Sequence, residues 1–288
     1  MNPTKLKQLL LNLNDPHFMR FIAYDHLAHL YPQLPPRLEQ QADLLIRHGM
    51  ETLTRIFANP FTDQGRITDN SRFFGRELTL NYIFTELAAG RNVSLVGEAQ
   101  VGKSSVLTQV VQQGPVRLNR PSHELVYIGM ESLSGDEDFF DCLCSELNIA
   151  PAKGYHLRRA LQGRRFIVCL DEFEKMHYQG FTANVRAQLR GLVDGNQSPL
   201  TLVVASRASL SQLFGDTHGE TSPLANICPE RRLSNFSLDE ARQFIDHRLR
   251  RTPVRFTPEQ IATLLRETQG HPGRLQQFAY ELYQQATR

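Results

Sequence analysis

The stretch Val93-Ser94-Leu95-Val96-Gly97-Glu98-Ala99-Gln100-Val101-Gly102-Lys103-Ser104-Ser105-Val106-Leu107 decides how this chain is read. An apolar run suited to a buried strand enters G-x-x-x-x-G-K-S, and the pattern leaving it is helical. That is the context a phosphate-binding loop requires. Gly97 and Gly102 permit a tight turn in which successive backbone N–H groups point at one phosphate. The expected cradle runs through Gly97, Glu98, Ala99, Gln100, Val101, Gly102, Lys103, Ser104 and Ser105. Lys103 carries a point charge toward the β- and γ-phosphates, and the Ser104 hydroxyl suits a magnesium ion. The helix starting at Lys103 turns its positive dipole end to the same anion. A nucleoside triphosphate, with magnesium, is the expected ligand.

A second stretch completes the chemistry. Phe166-Ile167-Val168-Cys169-Leu170 is a continuous apolar run, as in a parallel strand buried on both faces, and it ends in Asp171-Glu172. Ligand sites of parallel α/β sheets lie at the carboxyl ends of their strands, where these acids fall. Asp171 is expected to hold magnesium with Ser104, and Glu172 to orient and deprotonate the attacking water. Further strands are expected at Glu124–Ile128, at Leu200–Ala205 and, briefly, within Ile227–Leu233, which makes a five-stranded parallel sheet. The Leu200 strand runs into Ser206-Arg207, and Arg207 is the stronger charge-assisted donor for a γ-phosphate.

Flanking segments carry weaker signals. Arg72-Phe73-Phe74-Gly75-Arg76-Glu77-Leu78 precedes a helix and then the loop, a place from which Phe74 can meet a base and Arg76 the nucleotide. Ser237-Leu238-Asp239-Glu240 is a capping box, and Thr257-Pro258-Glu259-Gln260 opens another helix. Gly270-His271-Pro272-Gly273-Arg274 begins a last helix. It suits an ordinary start with proline in the first turn, and also a contact of His271 with phosphate or of the turn with adenine.

Composition excludes several classes. Hydrophobic residues make up 41% and charged residues 22%, with a formal net charge of +2. This is ordinary for a soluble globular chain and does not suggest a nucleic-acid protein. The 4 cysteines, Cys142, Cys144, Cys169 and Cys228, sit in apolar settings without a disulfide framework or a zinc pattern. The N-terminus lacks the features of a signal peptide, and no run approaches the roughly 20 apolar residues of a membrane span. A cytoplasmic protein with no membrane contact is expected. Residues 1–58 read as helices, with stripes such as Leu6/Leu9/Leu10/Leu13 and Phe18/Phe21/Ile22, and carry no clustered nucleophile and base. His17, His26, His29 and His48 lie there without acidic or cysteine partners at metal spacing. The expected organisation is a helical domain over 1–58, a linker over 59–71, an α/β core over 72–233 and a helical lid over 234–288.

Together these motifs resemble the signal-transduction ATPases with numerous domains (STAND), within the AAA-like P-loop group. The resemblance rests on Phe74-Gly75-Arg76-Glu77, the phosphate loop, Asp171-Glu172, the strand ending at Ser206-Arg207, and Gly270-His271-Pro272. It implies that Phe74, Gly75 and Arg76, with His271 and Pro272, close a lid over ATP, and that Arg207 senses the γ-phosphate. Slow ATP hydrolysis by Glu172, Lys103 and Arg207 follows from it, as does a nucleotide-dependent homo-oligomer. Thr79 stands where the family often has a second acid. Family members continue into winged-helix and repeat sensors whereas this sequence stops at Arg288, so sensing is expected through the N-terminal module, the ATPase or a partner chain. Residues 1–58 look like small death-like, effector-associated domains, which implies recruitment of an effector protein in bacterial signalling or defence. The alternative is an AAA-like ATPase acting on nucleic acid, of the transposition-regulator or loader type. Arg158-Arg159, Arg164-Arg165 and Arg248-Arg250-Arg251 are its candidate patches.

Overall fold

The computed structural model describes residues 58–178, 180–195, 197–214 and 224–287. The expected effector-associated domain, with its four histidines, lies outside the described residues apart from Ala58. What is described falls into two compact units. One comprises 61–247 and 256–282; the described residues of the other are 58–60, 248–255 and 283–287.

The larger unit is built on a parallel sheet. The strands are β1 (Val93–Val96), β2 (Leu125–Gly129), β3 (Phe166–Asp171), β4 (Leu200–Ser206) and β5 (Glu230–Arg232). They form a 5-stranded sheet in the order β2-β3-β4-β1-β5, with every pair parallel. The helices are α1 (Glu77–Ala88), α2 (Lys103–Arg117), α3 (Asp136–Glu146), α4 (Gly154–Ala160), α5 (Ala183–Val193), α6 (Leu210–Leu213), α7 (Leu238–Leu249), α8 (Pro258–Thr268) and α9 (Pro272–Thr287).

Alternation along the strands explains why they read as unbroken apolar runs. Ile167 and Cys169 of β3, and Val203 and Ala205 of β4, join Ile83 of α1 and Val106, Leu107 and Val110 of α2 in one core layer. Val168 and Leu170, with Leu202 and Val204, join Phe139 and Leu143 of α3 and Val185 and Leu189 of α5 in the other. Both faces are covered, so the central strands are apolar at nearly every position, Thr201 of β4 being a half-buried exception. Burial of Cys144, Cys169 and Cys228 follows from the same layers, with Cys142 half-buried against them; all four are free thiols. Burial pushes the Cys228 thiol up to about 12, with Arg190 opposing.

One buried polar side chain ties the sheet at its amino end. Asn92, just before β1, accepts from Leu202 N at 2.8 Å and donates to Ile227 O at 3.2 Å and Val193 O at 3.5 Å. It thereby satisfies backbone groups on three segments that no strand ladder reaches.

The strand order fixes what can meet at the carboxyl edge. β4 lies between β1 and β3, so the residue after β4 stands between the loop after β1 and the acids after β3. Gly97 N donates to Ser206 O at 3.2 Å, and Leu233 N to Val96 O at 2.7 Å, which pins the start of the loop on both sides. The predicted capping box is formed, with Ser237 Oγ accepting from Glu240 N at 3.1 Å, and the predicted helix start at Thr257 proves to be one too, its Oγ1 accepting from Gln260 N at 3.2 Å. In the smaller unit, Arg255 Nη1 donates to Thr252 O at 2.6 Å and Leu249 O at 3.2 Å. Among the described residues, no helix is long and apolar enough to cross a membrane.

Candidate nucleotide site

The loop between β1 and α2 has the backbone that its glycines permit. Gly102, at φ 104, is the left-handed residue from which α2 starts. Val101 is 1% exposed and anchors the loop in the core, while Glu98, Ala99 and Gln100 face outward. Gln100 is itself left-handed, at φ 59. Lys103 folds back on its own loop: its Nζ donates to Gly97 O and Glu98 O, both at 2.7 Å. A lysine ammonium has three N–H bonds, so a donor remains for a ligand. Burial holds this ammonium below the usual lysine range, opposed by the carboxylates of Glu174, Asp171 and Glu172 in that order of strength, with Arg207 acting alongside burial.

Ser104 sits in the first turn of α2, half-buried, with its carbonyl accepting from Thr108 Oγ1 at 2.9 Å. The neighbouring Ser105 hydroxyl, which the motif places in the phosphate cradle, accepts from Ile67 N at 3.0 Å. The segment before α1 therefore lies along this helix, and Gln112 Nε2 holds Thr68 O at 2.8 Å one step further.

The carboxylates stand where the sheet delivers them. Asp171 is 4% exposed; its Oδ2 accepts from Tyr127 Oη at 2.7 Å and its Oδ1 from Glu172 N at 3.1 Å. Burial and the Asp171 carboxylate push the Tyr127 phenol well up, against the opposing effect of Arg66. The Arg66 guanidinium lies 4.2 Å from the centre of the Tyr127 ring. Glu172 is left-handed at φ 54, the residue that turns the chain from β3 into the short 3₁₀ turn Phe173–His177. Burial, then the negative charges of Glu131, Asp171 and Glu174, hold its carboxyl above the usual range against a smaller effect of Lys175.

Arg207, after β4, is largely exposed and pairs with a half-buried acid: its Nε lies 3.2 Å from Glu174 Oε1. Sequence reasoning missed Glu174, Tyr127 and Arg66. Glu174 had a signal, a third acid in Asp171-Glu172-Phe173-Glu174. Tyr127 and Arg66 had none, because only the tertiary fold brings them to Asp171.

The flanking motifs close on the loop itself. Arg76 Nη2 donates to Val101 O at 3.1 Å and its Nη1 to Ser234 O at 2.8 Å, with the guanidinium 4.4 Å from the centre of the Phe236 ring. Burial lowers this arginine to about 10, opposed by Glu240. It starts α1 from a left-handed conformation at φ 73, after Gly75 at φ 67. Phe74 packs in an aromatic cluster, edge-on to Phe236 and Phe244 at 6.0 and 5.6 Å and beside His247 at 5.4 Å.

His271 is 5% exposed and its Nε2 lies 3.0 Å from Ala99 O. Its Nδ1 accepts from Arg274 N at 3.3 Å, which leaves Nε2 to donate to the loop carbonyl. Gly270 precedes it at φ 70, and a Cβ there would fall 2.1 Å from Phe236 O, so only glycine makes this turn. Pro272 then begins α9 in its first turn. A Cβ on Gly273 would meet Gln100 Cβ at 2.8 Å, another mark of how closely this helix start approaches the loop. The structure thus brings the phosphate loop, Arg76 and His271 together, sets Arg207 beside Glu174, and places Phe74 against Phe236, Phe244 and His247.

Hard oxygen donors on Ser104 and Asp171 fit a magnesium ion that keeps waters and phosphate oxygens as its other ligands. No cluster of three or more His, Cys, Asp or Glu able to hold a metal occurs among the described residues.

Solved structures share the fold. The Walker-type ATPase PABY2304 of Pyrococcus abyssi is 19% identical, with a TM-score of 0.57 over 78% of this chain and 71% of that one. The ORC1 protein of Aeropyrum pernix, solved in complex with DNA, is 15% identical with a TM-score of 0.56, covering 74% of this chain and 60% of that one. Cdc6p of Pyrobaculum aerophilum is 14% identical with a TM-score of 0.53, covering 82% and 67%. This chain therefore spans less than two thirds of the ORC1 protein. No curated protein matches it. The family model described as novel STAND NTPase 1 matches residues 59–288. That match takes in the phosphate loop, the acids ending β3 and the His271 turn alike, and the chain belongs to the novel STAND NTPase 1 family.

Proposed function

We propose that this protein is an ATP-hydrolysing switch whose nucleotide state governs self-assembly and the recruitment of an effector protein through residues 1–58, in bacterial signalling or defence. The observation that carries the reading is the His271–Ala99 hydrogen bond, which joins the lid turn to the loop that cradles phosphate. A loop that changes shape around its phosphates changes the hold on α9, and a two-state element biased in this way is what a switch requires. Turnover is proposed to be slow.

In the proposed reaction, water attacks the γ-phosphorus in line, a bond forms from that oxygen, and the bond to the β–γ bridging oxygen breaks. Glu172 accepts the proton of the attacking water. Lys103 and Arg207 stabilise charge on the equatorial oxygens. Ser104 and Asp171 would hold magnesium, which when bound neutralises charge on the β- and γ-phosphates. Phe74, Gly75, Arg76, His271 and Pro272 close the site around the nucleotide.

The nucleic-acid reading has one structural point in its favour. A cavity of about 780 Å³ at the opposite end of the sheet is bordered by Arg117, Arg120, Arg164 and Arg165. Three of these guanidiniums are engaged within the protein: Arg117 with Asn81, Arg120 with Glu124 and Arg164 with Leu147 O. Arginines that hold side chains and carbonyls at the ends of elements are ordinary, so this reading comes second.

The deciding experiment is mass in solution of the wild type with ADP and of Glu172→Gln with ATP and magnesium, each with and without DNA. A DNA-independent shift to a larger species with ATP is expected. Assembly only with DNA would replace this reading by the nucleic-acid one, and no assembly would remove the self-assembly part.

A further inference from the structure

One carboxylate acts on both cations that the proposed reaction assigns to the terminal phosphate, Lys103 and Arg207. Glu174 lies in the 3₁₀ turn after β3, with its side chain 12% exposed. Its Oε1 is 3.2 Å from Arg207 Nε, and its Oε2 is buried with no hydrogen-bond partner. An unsatisfied buried carboxylate oxygen is costly unless cations surround it. Of the carboxylates acting on Lys103, Glu174 is the strongest, ahead of both acids that end β3.

We propose that Glu174 is an internal stand-in for the terminal phosphate, holding Arg207 beside Lys103 until a triphosphate displaces it, and so sets the preference for tri- over diphosphate. The inference rests on the ATP reading above. A γ-phosphate that takes Lys103 and Arg207 strips Glu174 of its counter-charges and adds a negative group beside it. A diphosphate leaves the Glu174–Arg207 pair intact. Displacement is not local to one side chain. Glu172 O accepts from Lys175 N at 2.9 Å within the same turn, and Met176 O accepts from Arg186 Nη1 at 2.8 Å at its end. Movement of Glu174 therefore reaches the water-activating Glu172 on one side and α5 on the other. Glu174 is a specificity residue here, acting through charge on the groups that touch the phosphate.

The test is calorimetric binding of ADP and of the β,γ-imido analogue of ATP, with magnesium, to the full chain. Glu174→Gln keeps the shape and removes the charge. The affinity ratio of triphosphate over diphosphate is expected to rise about tenfold, as for removal of one nearby like charge, with ADP affinity almost unchanged. An unchanged or lower ratio would overturn the proposal. A second measurement leaves Glu174 in place. The chain has 0 tryptophans, so Tyr178→Trp, on an exposed residue just after the turn, gives a single fluorescent reporter. Its emission is expected to respond to the triphosphate analogue and not to ADP; an equal response to both, or to neither, would overturn the proposal. Binding of neither nucleotide to wild type would overturn the ATP reading itself, whereas binding of both with the ratio unmoved in Glu174→Gln removes this inference alone.

Discussion

His271 and Ala99 are 172 residues apart in sequence, and the Nε2 of one lies 3.0 Å from the carbonyl oxygen of the other. The imidazole is buried and its second nitrogen is already committed to Arg274 N, so the ring is held in one orientation. His271→Ala should remove one hydrogen bond to the loop carbonyl and cost about 0.5–1.5 kcal/mol of stability. Nucleotide release should be faster by several-fold, because one hold between α9 and the loop is gone. Stopped-flow release of a fluorescent ADP derivative reads this directly, and an unchanged rate would separate the His271 turn from the site.

The proposed roles of Lys103 and Glu172 separate binding from turnover. Lys103→Ala should abolish nucleotide binding. Glu172→Gln should bind as well as wild type and lose at least about 100-fold in kcat, the usual scale for a general base. Undiminished hydrolysis in either variant would overturn the site assignment.

The pH profile tests the electrostatics around that base. As the proposed base, Glu172 would act only when ionised, so the rate should fall as pH drops through its pKa, which lies above the usual carboxylate range. After burial, Glu131 is the largest cause of that rise. Glu131→Gln removes a negative neighbour, lowers the pKa, and should move the acidic limb of kcat to lower pH. A limb that stays in place would mean that a group other than Glu172 sets it.

Tyr127 orients Asp171. Its hydroxyl is 2.7 Å from Oδ2, and it is itself covered by Arg66. Partners behind a metal-binding carboxylate commonly contribute tenfold or more in metal affinity. Tyr127→Phe should raise the magnesium concentration at half-maximal binding of ATP by about tenfold. Binding in the absence of magnesium should not change. An equal loss with and without the ion would mark a packing role only.

Asn92 offers a test of the fold away from the chemistry. Asn92→Leu would leave Leu202 N unpaired inside the sheet layers and two carbonyls without their donor. A loss of about 2 kcal/mol is expected, read as a melting temperature lower by about 5 °C. Wild-type stability in that variant would show that the three bonds contribute little.

The phosphate loop and the acids after β3 are legible in the sequence because each is a local pattern: glycines at fixed spacing, or a run of apolar residues ending in charge. The parallel sheet follows from the same runs, since strands covered on both faces cannot alternate. Strand order is not local. Nothing in Leu200–Arg207 alone says that β4 comes between β1 and β3, and so nothing there says that Arg207 meets Glu174. Tyr127 reads as one more aromatic residue on a strand until the sheet is assembled and its hydroxyl reaches Asp171. Arg76 was legible as a neighbour of the site, but its hold on Val101 O and Ser234 O depends on where β5 ends and α7 begins.

Arg76 and His271 grip the loop through main-chain oxygens, not through side chains. The identity of residues 99, 101 and 234 is therefore irrelevant to the hydrogen bonds themselves, and Ala99 faces solvent. Position 99 is thus a natural attachment point for a dye: a cysteine placed there can carry a label beside the His271 hydrogen bond without removing any atom that makes it.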